Sequence, residues 1–162
     1  MKNSKILANR LREVILNGIW IANTNYKSQL ENLEWNIAVS KIESLNSIAL
    51  LAQHAHYYIK GIKNVLNGGK LDIKDKYSFD FLVLESEKEW QVFLKRFWND
   101  TENLAILIEQ LKDETLDQSF ENEKYGSYRR NINGLIEHCY YHLGQLVLLK
   151  KIHQLKISVK TD

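Results

Sequence analysis

The sequence contains no proline, although ordinary usage of about 5% would place several in a chain of this length. Nothing therefore forces a helix to stop, and helix ends must be read from glycine, capping side chains and breaks in apolar periodicity. The single cysteine, Cys139, excludes an intrachain disulfide framework. No apolar run approaches the roughly 18 residues a membrane-spanning helix needs. The amino-terminal MKNSKILANRLREVI breaks its apolar residues with charge too often for a secretory signal. Together these absences predict a cytoplasmic protein with no membrane segment. Charge of one sign is also scarce: 22 Lys and Arg face 20 Asp and Glu, a net +2. Arg129, Arg130, Lys150 and Lys151 are too thinly spread for a nucleic-acid-binding surface.

What is present is an ordinary globular composition, 44% apolar and 26% charged over 162 residues, which predicts one domain spanning 1–162. Leu7, Leu11, Val14 and Ile15 share a helical stripe, with Asn3 or Ser4 as the expected cap and Asn17-Gly18 as the stop, glycine entering the left-handed cap conformation freely. An irregular IWIANTNY and a short helical piece follow; one longer helix is the alternative. The second helix begins at a Ser40/Glu43 capping box, or at Asn46 or Ser47, and ends at Gly68-Gly69. KLDIKDKYSFDFLVLE, with some strand-like alternation, reads as a long connector across the end of the helices. A third helix starts at Ser86 with Glu89 and runs to about Lys112, burying Trp90, Phe93, Leu94, Phe97, Leu104, Ile108 and Leu111. Gly126 marks a turn or small hairpin. The fourth helix covers about 130–153, with Leu135, Cys139, His142, Leu146 and Leu149 on one face. The pattern predicts an all-α four-helix bundle with long crossover connections.

Five histidines carry the chemistry. His138 and His142 are one turn apart, with Cβ atoms about 6 Å from each other, close enough to share a cation. Glu137 precedes the pair instead of lying between its members, so this is not the HExxH zincin arrangement. On the second helix, Leu50, Leu51, Ile62 and Val65 bracket His54 on the core side, whereas His56 falls with Gln53, Lys60 and Lys63 and is expected to face solvent. Unpartnered buried imidazoles are costly, and one divalent ion would satisfy His54, His138 and His142 together. His153, eleven residues past His142, lies about 16 Å further along the axis and reads as a surface residue.

SIALLAQH at 47–54 followed by HCYYHLGQL at 138–146 resembles the DinB/YfiT-like superfamily. The resemblance covers essentially the whole chain. It implies a four-helix bundle with a three-histidine metal site, the ligands falling on His54, His138 and His142. Gly144 and Gln145 match the family's Gly-Gln, and LNGIWIANTNY resembles its Gly-then-Trp connector, which would bring Trp20 and Asn23 to the mouth of the site. Many relatives have Arg where this chain has Leu143. Characterised members of that superfamily include bacillithiol- and mycothiol-dependent enzymes, so the resemblance implies thiol S-transfer, while other members are described as metal-dependent hydrolases.

Three protein ligands leave positions open for water or substrate, and a neutral His₃ set leaves the full charge on the ion, which can acidify a water or a thiol. The expected partners are a small electrophile and a low-molecular-weight thiol. Imidazole suits Zn, Ni, Fe and Cu alike, so the metal is not decided. The alternative is a non-catalytic metal-binding or sensing bundle. The aromatic helix with Trp90, Phe97 and Trp98 is the expected face for any homodimer. Tyr57, Tyr58, Tyr140 and Tyr141 flank the ligands and read mainly as packing. Glu137 reads as solvated, with orienting a neighbouring imidazole as the alternative. Cys139, among apolar residues with no adjacent cation, reads as inert.

Overall fold

The computed structural model describes residues 2–158, and among these there is no strand. The helices are α1 (Asn3–Arg12), α2 (Tyr26–Leu30), α3 (Trp35–Val39), α4 (Ile48–Leu66), α5 (Glu87–Gln110), α6 (Asp113–Leu116) and α7 (Tyr128–Ser158). The four longest meet pairwise: α1 runs against α5, α5 against α4, α4 against α7, and α7 returns to α1. No helix of the described residues is long and apolar enough to cross a membrane.

Local chemistry sets each boundary. Neither Asn3 nor Ser4 caps α1 with its own side chain. Their backbone amides donate instead to the Asp113 carboxylate at 3.2 Å each, so α6 supplies the cap from across the fold. The last turn of this helix is a π turn, Glu13–Asn17, ending at Gly18. Gly18 has φ −98°, not the expected left-handed conformation, and a Cβ there would collide with Glu13. Glycine is required here for space. Asn25 and Ser28 then form a reciprocal capping box that starts α2.

Of the proposed starts for the second helix, Ser47 is the one used: its hydroxyl accepts from Leu50 N at 3.2 Å, while Ser40 closes α3. At the far end Gly68 takes φ +85°, Gly69 N donates to Asn64 O at 2.9 Å and Gly68 N to Val65 O at 2.9 Å, a Schellman arrangement. Ser86 caps α5 through Glu89 N, but the Glu89 carboxylate accepts from Glu85 N, so the expected box is half made. Around Gly126 (φ +73°) the turn holds one isolated antiparallel bridge, Ser119 with Ser127.

The predicted stripes of α1, α5 and α7 form the core. Trp90 and Phe97 are wholly buried and Trp98 is half-buried against them, so these aromatics do not form the apolar docking face expected for a dimer. Trp90 Nε1 donates to Leu33 O at 2.9 Å, Trp35 Nε1 to Leu84 O at 2.8 Å and the buried Tyr26 hydroxyl to Cys139 O at 3.1 Å. These bonds pin the 18–46 region to α5, α7 and the chain leading into α5. The 70–85 connector has no strand character. It folds back along α4, where Gly61 gives it room: a Cβ there would lie 2.5 Å from Ile73 Cδ1 and 2.8 Å from both of its γ carbons.

Candidate metal centre

The path of this connector decides how His54 is held. After Ile73 the chain makes a 3₁₀ turn, Asp75–Tyr77, whose end is closed by Ser78 Oγ donating to Asp75 O at 2.7 Å. The Ser78 carbonyl then faces α4 and lies 2.7 Å from His54 Nδ1. A carbonyl only accepts, so His54 carries its proton on Nδ1 and turns a bare Nε2 inward. Phe79 stacks on the same ring at 3.9 Å between centroids and 7° between planes, fixing its tilt.

Across the helix pair, α7 brings His138 and His142 to the same place. His138 Nε2 lies 2.9 Å from His54 Nε2. Ring centroids are 4.9 Å apart for His54 and His138, 4.6 Å for His54 and His142, and 4.4 Å for His138 and His142. One ring nitrogen from each falls within 4.8 Å of the others. His142 Nδ1 donates to Gln145 Oε1 at 2.7 Å, and the Gln145 amide in turn donates to Tyr141 Oη at 3.1 Å. His142 therefore also presents Nε2 as a lone pair.

Burial holds all three imidazoles neutral. Desolvation pulls His54 below the usual histidine value against the opposing Ser78 bond, and His142 is lowered by desolvation as well. His138 drops to about 4, through desolvation first and then its two histidine neighbours. Neutral and convergent, with the outer nitrogens of His54 and His142 occupied, these rings are the donor set an imidazole-binding cation requires. Bonds of about 2.0–2.1 Å to one ion would put the nitrogens about 3–4 Å apart, a separation the cluster reaches with small side-chain adjustments. The cluster could hold a divalent ion; nothing in its chemistry selects which.

His56 departs from expectation. It does not face solvent but is buried at 5% exposure against Phe93 and Phe97. Its Nε2 donates to Asp100 Oδ2 at 2.7 Å, while Lys63 Nζ donates to Oδ1 at 2.5 Å. Because α4 packs on α5 as well as α7, it has two buried faces, and Lys63, expected on a wet surface with His56, instead shares Asp100 with it, while Lys60 stays exposed. Desolvation takes His56 to about 4, and Lys63 and His56 hold Asp100 below its ordinary value despite burial.

The remaining expectations sort cleanly. Trp20 is 88% exposed and Asn23 is exposed at φ +52°, and neither lines the cavity beside His138, so the loop does not form the mouth of the site. Glu137 is exposed and touches no imidazole; Ser78 and Gln145 hold the outer nitrogens instead. Cys139 is fully buried and burial pushes its thiol up to about 12, an inert group. Among the tyrosines, Tyr58 packs edge-on to both His54 and His138 and donates to Asp75 Oδ1 at 2.8 Å. Tyr57 holds the Lys74 backbone and Tyr140 bonds Glu13. His153 is half-buried beside the Ser40 hydroxyl, away from the cluster. Sequence reasoning missed Asp75, Ser78 and Phe79. A backbone carbonyl carries no side-chain signature, and the connector has no period to place the other two.

Compared with protein-family models, curated proteins and solved structures, the chain finds no match. The geometry stands by itself.

Proposed function

We propose that the chain is a cytoplasmic DinB/YfiT-like four-helix-bundle enzyme. It uses a divalent metal held by His54, His138 and His142 to transfer a low-molecular-weight thiol to a small electrophile, or to hydrolyse that electrophile. The observation that carries this reading is the convergence of three neutral imidazoles from two helices, two with their Nδ1 protons committed to fixed acceptors. When bound, such an ion would supply Lewis acidity, lowering the pKa of a water or thiol so that its deprotonated form is available near neutral pH. The chain's own residues do the rest. Ser78 O and Gln145 Oε1 fix the tautomers of His54 and His142, and Phe79 holds the His54 plane. Tyr58, its hydroxyl donating to Asp75, packs edge-on against His54 and His138 and holds their rings from the connector side.

The test begins with elemental analysis of purified protein beside His54→Ala. Near-stoichiometric metal in the wild type and loss in the variant supports the ligand set; full occupancy in both defeats it. Conjugation of L-cysteine to 1-chloro-2,4-dinitrobenzene is then followed with metal-loaded, chelated and His54→Ala protein. Rate acceleration by the loaded form alone supports S-transfer. A fold that melts when the metal is chelated, with no acceleration by the loaded form, supports the structural-metal alternative.

A further inference from the structure

Beside His138 lies a cavity of about 390 Å³, at the lower end of the range that takes a small organic molecule. Its floor is one stripe of α7, with Arg130, Gly134 and His138 at successive four-residue steps, and its wall is connector chain at Leu71, Ile73 and Asp75. Arg130 and His138 are about 12 Å apart along the helix axis, so the cavity is long. Its two ends differ. At one the exposed Arg130 guanidinium makes no ion pair among the described residues, while its neighbour Arg129 pairs with Asp117 at 2.7 Å. At the other stands the histidine cluster, with Asp75 near it, its carboxylate accepting from Tyr58. Between them is Gly134. Glycine inside a helix costs about 1 kcal/mol relative to alanine, and at Gly61 close packing requires it. At Gly134 packing requires nothing: a Cβ would meet no atom within 4 Å. What glycine preserves at this position is open volume over the floor.

We propose that this cavity binds an elongated organic monoanion, with its carboxylate on Arg130, its apolar stem over Gly134 and its far end at His138. A guanidinium fork matches a carboxylate in two parallel hydrogen bonds. The Asp75 carboxylate in the same cavity disfavours a dianion such as a phosphate monoester. The apolar walls from Leu71 and Ile73 favour a hydrocarbon stem over a sugar. This names the substrate class for the centre proposed above and rests on that reading only for what happens at the His138 end; the anion site itself needs no metal.

The experiment compares 4-phenylbutyrate with its neutral amide, 4-phenylbutyramide, by calorimetric titration of metal-free and metal-loaded protein. Wild-type protein is expected to bind the carboxylate at least tenfold tighter than the amide in both forms. Arg130→Gln should bring the two to parity. Gly134→Leu, which fills the floor with a better helix former, should lose both ligands while its thermal midpoint holds or rises and its metal content stays that of wild type. Equal affinity for the two probes in wild type, or undiminished binding by Gly134→Leu, overturns the proposal. Carboxylate preference without metal uptake leaves the cavity assignment standing and removes the metalloenzyme.

Discussion

Replacing Gly61 by alanine sets two physical effects of opposite sign against each other. Helix propensity alone makes Gly61→Ala stabilising by about 1 kcal/mol in the middle of α4. The new methyl, however, would sit 2.5 Å from Ile73 Cδ1 and 2.8 Å from its two γ carbons, well inside the 3.4 Å where ordinary contact begins. The γ carbons cannot all swing away, because they lie one bond from Cβ, so the connector backbone itself must retreat. Overpacking of this kind costs about 1–3 kcal/mol, which leaves the variant about 1 kcal/mol less stable than wild type and its thermal midpoint about 2–4 °C lower. The retreat also moves Asp75, Ser78 and Phe79, and removing the acceptor behind a ligating imidazole weakens metal binding by about 10–100-fold. The assay is calorimetric melting of metal-free protein, with metal affinity measured by chelator competition. Gly134→Ala is the control: with no atom within 4 Å of its Cβ it should gain about 1 kcal/mol and leave metal affinity unchanged. If Gly61→Ala is stabilised to the same degree as Gly134→Ala and binds metal normally, the connector does not position His54.

Gln145→Leu removes the acceptor on His142 Nδ1 and should lower metal affinity about 10–100-fold with little change in the metal-free melting point, as chelator competition and calorimetry would show. Asp100→Ala leaves His56 and Lys63 facing an empty site and should cost about 2–4 kcal/mol in urea unfolding. Acid should weaken the metal-free fold well before the carboxylates titrate. His56 falls from 6.5 to about 4 on folding, so the unfolded chain takes up its proton first. Stability from this group is whole above pH 6.5, declines as pH falls, and is lost by about pH 4, on the order of 3 kcal/mol in all. Urea midpoints at pH 7, 5.5 and 4.5 measure the combined slope of His56 and the three cluster histidines, all lowered by burial. A flat profile would mean that His56 is not held neutral by the fold.

The long helices were legible because their signal is repetitive. Six apolar residues spaced along α5 and four along α7 outweigh any single ambiguity, and Ser47, Ser86 and Gly68 mark ends through local bonds. The three histidines were legible for the same reason, being placed by the periodicity of helices whose inward faces were already known. His56 was not, because a wheel assumes one buried face. Lys63 beside it looked like water-facing charge, and only the position of Asp100 on another helix turns that pair inward. The cap on α1 failed likewise: Asp113 is some 110 residues from the amides it satisfies, and no local pattern announces it. Gly18 was identified as a stop for the wrong reason, since crowding by Glu13 and positive φ both select glycine and leave the same letter in the sequence.

The His54 orientation rests on a connector only partly buried, held by Ile73 against Gly61, two hydroxyls and a carbonyl. Segments so attached open at lower free energy than the helices they cover. Exchange of whatever the three imidazoles hold should therefore track excursions of residues 70–85, and amide hydrogen exchange there should be faster than in α4 or α7. The centre can then load and release without the helical scaffold coming apart.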